Sequence, residues 1–317
     1  VAIGSAAGQT NQGGDTVAVG NSAGANQQFR YGIAIGYQAG QNTQGTGSIS
    51  IGYQSGQNNQ ATGSIAIGYQ SGQNTQSTNS IAIGNAAGQS NQAANSVAIG
   101  GNAGSSGQGS SSVAVGNGSG QYNQATQCVA IGNGAGGASQ GSQSIAIGHA
   151  CAVSLQANGC VAMGPGAAQT SQGSFGLAIG YQTGNNAQSS YGVALGFQAG
   201  LASQGAYSVA LGYQAGQTSQ PANSIVINAT STALSPSTAS AFYVNPVRST
   251  ASASTARNLL VDTTTSEVFS GTATMETYGT NTTTVNRAAF GDAATLANTV
   301  QVLGTLINDL RGQGIIL

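Results

Sequence analysis

The sequence predicts an all-β protein, a parallel β-solenoid, and three observations predict it. A 16-residue unit repeats fourteen times across Val1–Ser224 without insertion or deletion. A strict period reads as one coil per unit, each stacked on the last. Counting slots from Val1, slot 4 is Gly and slot 12 is Gln in every copy. Slots 1 and 3 are always apolar, and slot 2 is Ala in thirteen copies, with Ser50 the exception.

The strand comes first in each unit. In Ile65-Ala66-Ile67-Gly68, slots 1 and 3 share one face and slot 2 takes the other. Burial of aliphatic side chains predicts Ile65 and Ile67 inside the coil and Ala66 outside. Thirteen outward alanines then predict a second close-packed surface, and a neighbouring chain is its simplest occupant. Gly at slots 4 and 8 supplies bends or close backbone approach (Ala152 and Ala168 are the exceptions at slot 8). Slot 7 is always small. The Gln at slot 12 fits two roles: an amide ladder from coil to coil, or satisfaction of a turn backbone. Fourteen coils at about 4.8 Å each make a rod about 65 Å long.

Past Ser224 the pattern weakens. Ile225-Val226-Ile227 begins another coil, but Asn228 replaces Gly, so the solenoid is expected to end there. The expected domains are the shaft at 1–227, a linker at 228–240, a small β-module at 241–290 and a C-terminal helix at 291–317. Within the module, Phe242–Val247 reads as a strand. Leu259–Val261 and Glu267–Phe269 flank Thr263–Ser266 and read as a hairpin. The module is positioned to cap the open end of the rod. In the helix, Ala293, Leu296, Val300, Leu303, Ile307 and Leu310 follow the 3-4-3-4 spacing of a coiled-coil seam, with Asp292 as N-cap and Gly312 as stop. About 18 residues are marginal as an isolated helix. Three copies around one axis would bury the seam, making Leu296, Val300, Leu303, Ile307 and Leu310 trimerisation residues. The other reading packs the helix on its own β-module.

Composition narrows the function. Charged residues are 3% of the chain, against about 25% in an ordinary domain. There is no Lys, and only Asp15 and Arg30 are charged within the repeats, where they are placed to pair across one coil. A net charge of −1 gives no footprint for nucleic acid or anionic membrane. No apolar run reaches the roughly 18 residues of a membrane-spanning helix, and no signal peptide is visible. Val1 stands in phase with the repeat, as expected of a processed chain or part of a longer one.

Chemistry has little foothold. Carboxylates are too scattered for acid–base work, and His149 has no Ser/His/Asp set around it, so no enzyme and no cofactor are expected. His149 and Cys151 form a His-x-Cys pair at slots 5 and 7, but Cys151 fits as a small residue and no metal is expected. Cys128 and Cys160 sit two coils apart at slot 16, beyond disulfide reach, and read as replacements for Ser. Slot 5 is the notable surface position. Tyr37, Tyr53 and Tyr69 align over three coils, and Tyr181, Phe197 and Tyr213 over three more, each beside a slot-6 Gln. These six are candidate glycan contacts; the alternative is a stacked ladder that shields strand backbone. An ice-binding face would need a regular Thr row, and Thr is scattered over slots 10, 11 and 14.

The phrases Asn95-Ser96-Val97-Ala98-Ile99-Gly100 and Gly63-Ser64-Ile65-Ala66-Ile67-Gly68 resemble the head repeats of trimeric autotransporter adhesins. The resemblance covers about two-thirds of the chain and implies a left-handed parallel β-roll assembled as a trimer. The 16-residue period is longer than such heads usually show, and residues 225–317 do not resemble a membrane-anchoring barrel. Ala241–Arg248 followed by Asn258–Val268 resembles the module after the shaft in fibre proteins of tailed phages and large DNA viruses. Together these imply a homotrimeric virion fibre, a tail or capsid fibre exposed on the particle. Its partners would be two identical chains, virion proteins and a host surface glycan, without nucleic acid or membrane insertion. The alternative is a trimeric adhesin on a bacterial cell surface.

Overall fold

The structure, a computed structural model, describes residues 1–247, 258–261, 268–271, 304–305, 307–308 and 310–312. The chain divides into two units, Val1–Arg248 and Ser249–Leu317.

The first unit is a parallel β-solenoid. Its main sheet has sixteen strands, from Ala2–Ile3 to Phe242–Asn245, formed by slots 1–3 of successive coils. Partners sit sixteen residues apart, as in Val97↔Val113 and Ala98↔Ala114. The opposite wall is a second parallel sheet from slots 10–12. It is eight strands long from Ser90–Gln92 to Ala202–Gln204, with Gln108 opposite Gln92 and Gln124. Gln27–Gln28 and Thr43–Gln44 pair on this wall earlier in the shaft. The sequence pattern gives no sign of this sheet, because strands such as Ser90-Asn91-Gln92 carry no apolar alternation.

Inside and outside are reversed from the expectation. Ala66 and its slot-2 equivalents from Ala18 onward are fully buried (Ala2, in the first coil, is exposed), whereas Ile65 and Ile67 are only partly buried on the outer face. Space decides this. A Cβ placed on Gly72 would lie 3.2 Å from the Ala66 Cβ and 2.7 Å from Oε1 of Gln76. Through the fourteen repeats the walls are so close that the buried side chains between them are Ala, Ser, Cys, Thr and the flat Gln amide; Val226, in the fifteenth coil, is the one larger aliphatic among the buried residues described. An inward Ile would overpack every coil.

The slot-12 glutamines fill that gap, and both roles considered for them hold together. Gln92 is 1% exposed. Its Nε2 donates to the carbonyl of Ile81 at 2.7 Å and to Oε1 of Gln108 at 3.2 Å. The first bond ties the coil's two walls, and the second ties one coil to the next. Slot-8 Gly is explained by the same amide, which would meet any Cβ there. Slot-4 Gly answers to the backbone. Gly68 has φ +131, and a Cβ on it would lie 2.5 Å from the Gly84 carbonyl oxygen.

The solenoid does not end at Ile227. Ile225–Asn228 pairs with the previous coil, and Phe242–Asn245 pairs parallel on Ile225–Asn228, so the strand assigned to the β-module belongs to the shaft. Asn228 does the work of the missing Gly: its Nδ2 donates to the carbonyls of Tyr213 and Thr232, both at 2.7 Å. The expected linker is therefore a coil, and Leu234 bridges to Ala215 across it.

In the second unit, Asn258–Val261 and Val268–Gly271 form the expected antiparallel hairpin, with Val261 opposite Val268. Residues 304–305, 307–308 and 310–312 are helical; the rest of the expected helix at 291–317 lies outside the described residues. Leu296, Val300 and Leu303 lie outside the described residues.

Candidate functional site

Each coil presents the same outward row. Along slots 15, 16, 1, 2, 3, 4 and 5, burial alternates: in Tyr191–Phe197 the inner Gly192 and Ala194 are buried, and Tyr191, Val193, Leu195 and Phe197 face out. The outer face of the main sheet is therefore an apolar stripe running the length of the shaft. Ile131 and Leu195 remain 39% and 41% exposed on it. At about 65 Å by 10 Å the stripe is on the order of 650 Å², as large as the biggest patches on ordinary monomers.

The stripe is bordered by aromatic columns. Tyr37, Tyr53 and Tyr69 stack with centroids 5.2 and 5.1 Å apart. Tyr181, Phe197 and Tyr213 stack at 5.3 Å per step. The structure thus brings the six slot-5 aromatics together as two ladders. A third column was not anticipated: Phe175, Tyr191 and Tyr207 at slot 15, with steps of 5.5 and 4.9 Å. The same 16-residue spacing would have found it in the sequence.

Amides border the N-terminal column. Nε2 of Gln54 donates to Oε1 of Gln38 at 2.9 Å, and Nε2 of Gln70 to Oε1 of Gln54 at 3.0 Å. Gln57 and Gln73 join this lattice from slot 9, and Asn42 bonds to Asn58 at slot 10. These groups offer alternating donors and acceptors beside ring edges, a surface suited to hydroxyl-rich ligands.

The reactive residues are arranged otherwise. Cys128, Cys151 and Cys160 are free and buried. The Cys128 thiol donates to the Gly141 carbonyl at 2.9 Å, as the Ser144 hydroxyl does to Ala157 at 2.7 Å, so it substitutes for Ser. Burial raises all three thiols, Cys151 to about 12. No group of three His, Cys, Asp or Glu that could hold a metal occurs among the described residues. Asp15 and Arg30 do not pair; the Arg30 guanidinium lies over the Tyr31 ring, 5.6 Å from its centroid. No described helix is long and apolar enough to cross a membrane. Of the expected trimerisation residues, Ile307 is exposed and Leu310 partly exposed on the C-terminal helix.

No family model, no curated protein and no solved structure matches this chain.

Proposed function

We propose that the protein is a homotrimeric virion fibre, a stiff non-enzymatic rod that projects from the particle and mediates attachment to a host surface. The observation that carries this reading is the aliphatic stripe. Three copies packed side by side with their stripes on a common axis would bury it along the whole shaft. The stripe's roughly 650 Å² approaches the ~800 Å² per partner of a standard interface, before its aromatic borders are counted. The alanines serve the inside of each coil, and the aliphatic residues serve assembly. The C-terminal helix, through Leu296, Val300, Leu303, Ile307 and Leu310, would close the bundle. Tyr37, Tyr53, Tyr69, Tyr181, Phe197 and Tyr213, with their neighbouring amides, would contact host glycan. The strand phrase at Asn95–Gly100 favours a second reading, a trimeric adhesin on a cell surface.

The test has two arms. The native chain should sediment with three chain masses and image as a uniform rod, and Val193→Asp with Leu195→Asp should yield monomers. Antibody against the shaft should then label fibres projecting from virus particles. A monomeric native chain overturns the fibre, and label confined to cell envelopes selects the adhesin.

A further inference from the structure

A stripe that repeats every sixteen residues cannot set its own register. Two such stripes displaced by one coil, about 4.8 Å, still match at every level but one. Something aperiodic must fix the alignment of identical shafts, and along the outward row the aromatic borders supply it.

The rings are not needed to close a coil. Slot 5 holds Asn133 and His149 midway along the shaft, where Gly132 and Gly148 keep the same turn, with φ +127 and +137. Slot 15 is more telling. Its backbone is left-handed, with φ 58 at both Asn95 and Phe175, 59 at Tyr191 and 56 at Tyr207. Asn and Gly adopt that conformation readily; bulky aromatics are outliers there. Phe175 and Tyr207 are nevertheless 58% and 61% exposed, so the chain's own fold hides little of them. Rings held against backbone preference and left outside are accounted for by a contact beyond the chain.

The two C-terminal columns occupy the same three strand levels. Phe175 and Tyr181 flank Leu177–Ile179, Tyr191 and Phe197 flank Val193–Leu195, and Tyr207 and Tyr213 flank Val209 and Leu211. In a parallel cyclic assembly, rotation about the axis brings the slot-15 edge of one copy beside the slot-5 edge of the next. The columns are equal in length, level and chemistry.

We propose that the Phe175–Tyr191–Tyr207 column of one copy seats against the Tyr181–Phe197–Tyr213 column of the next, and that this contact fixes the axial register of the assembly. The inference rests on the trimer put forward above, and it gives Tyr181, Phe197 and Tyr213 to assembly, leaving the Tyr37–Tyr53–Tyr69 column for glycan. Aromatic pairs have a defined geometry that a one-coil slip breaks at both ends of the columns: one direction sets Phe175 against Pro165 and Tyr213 against Asn223, the other sets Tyr181 against Gly159 and Tyr207 against Ala229.

The test is a distance measurement on the full chain. A spin label on Asn133→Cys is exposed at slot 5, while the three native thiols are buried. The trimer should give one narrow label–label distance. Phe175→Asn, Tyr191→Asn and Tyr207→Asn together should keep three chain masses but add distances from shafts displaced by multiples of about 4.8 Å. Asn is already the slot-15 residue at Asn79 and Asn95, so the coils are expected to fold. The slot-5 set, Tyr181→Asn, Phe197→Asn and Tyr213→Asn, should broaden the distances alike and decides the matter if the first set fails to fold. A folded set that keeps the narrow distance overturns the contact, and does so equally if its binding to an immobilised glycan panel is lost. A monomeric parent by mass overturns the trimer itself, a separate failure.

Discussion

Gln76 donates its side-chain amide to Oε1 of Gln92, 3.2 Å away and one coil further along, in the fully enclosed space between two sheets. The same nitrogen reaches the Ile65 carbonyl at 2.7 Å. A polar side chain thus forms the middle of each coil, where a wider solenoid would place aliphatic residues. A buried amide is stabilising only while its partners are present.

Gln92→Leu removes the donor to the carbonyls of Ile81 and Ser96 and the acceptor for Gln76. Stranding several buried polar groups should cost about 2–4 kcal/mol. Thermal unfolding of the variant should begin locally, with faster amide hydrogen exchange in the coils on either side of Gln92.

Substitutions at the two faces of one strand should have opposite consequences. Ala98→Leu puts a large side chain where a Cβ on Gly104 would already lie 3.3 Å from Ala98. It should destabilise the chain by at least about 2 kcal/mol. Ile99→Thr changes a 38% exposed side chain. It should leave coil stability within about 1 kcal/mol while weakening assembly, read as a higher dissociation concentration in sedimentation.

The glycines divide by what surrounds them. Gly68→Ala meets both an unfavourable φ of +131 and the Gly84 carbonyl, and should cost more than about 3 kcal/mol. Gly47 has φ +64 and nothing within 4 Å. Gly47→Asn should therefore change the unfolding midpoint little, by about 0.5 kcal/mol or less. Circular dichroism melts of the two variants provide the comparison.

The buried thiols predict a response to alkali. Burial raises Cys151 from 9.0 to about 12. Below pH 9 both folded and unfolded chains keep the thiol protonated, and its contribution to stability is fully present. Above pH 9 the unfolded chain ionises first, so stability falls as pH rises through the folded value near 12. Cys151→Ala should flatten that decline, and all three native thiols should resist a thiol reagent at neutral pH until the chain unfolds.

Much of this architecture is legible in the sequence, and the failures have physical causes. Period, strand position and the roles of Gly68 and Gly72 follow from repetition within the chain. Alternation at Ile65-Ala66-Ile67 separates two faces but does not say which is inside; transfer energy alone chose the isoleucines, and the width of the coil chose Ala66. The wall through Ser90–Gln92 was hidden because its strands are polar and held by stacking. Asn228 breaks the slot-4 rule and so signals a stop, yet its side chain bonds replace the glycine turn. The slot-5 aromatics stand out beside their constant slot-6 Gln, while Phe175, Tyr191 and Tyr207 share slot 15 with Asn, Gly and Ser and have no such constant neighbour to mark them.

Residue sixteen positions on is the partner of nearly every strand residue, but the last pairing, Ile225 with Phe242, spans seventeen. Within the stack, loss of a single amino acid would throw every later side chain onto the wrong wall, whereas loss of a whole unit would only shorten the shaft by one step. Changes in reach are therefore quantised by duplication or excision of complete modules, and finer adjustment is open at the turn between Ile225–Asn228 and Phe242–Asn245, the last pairing of the stack among the described residues.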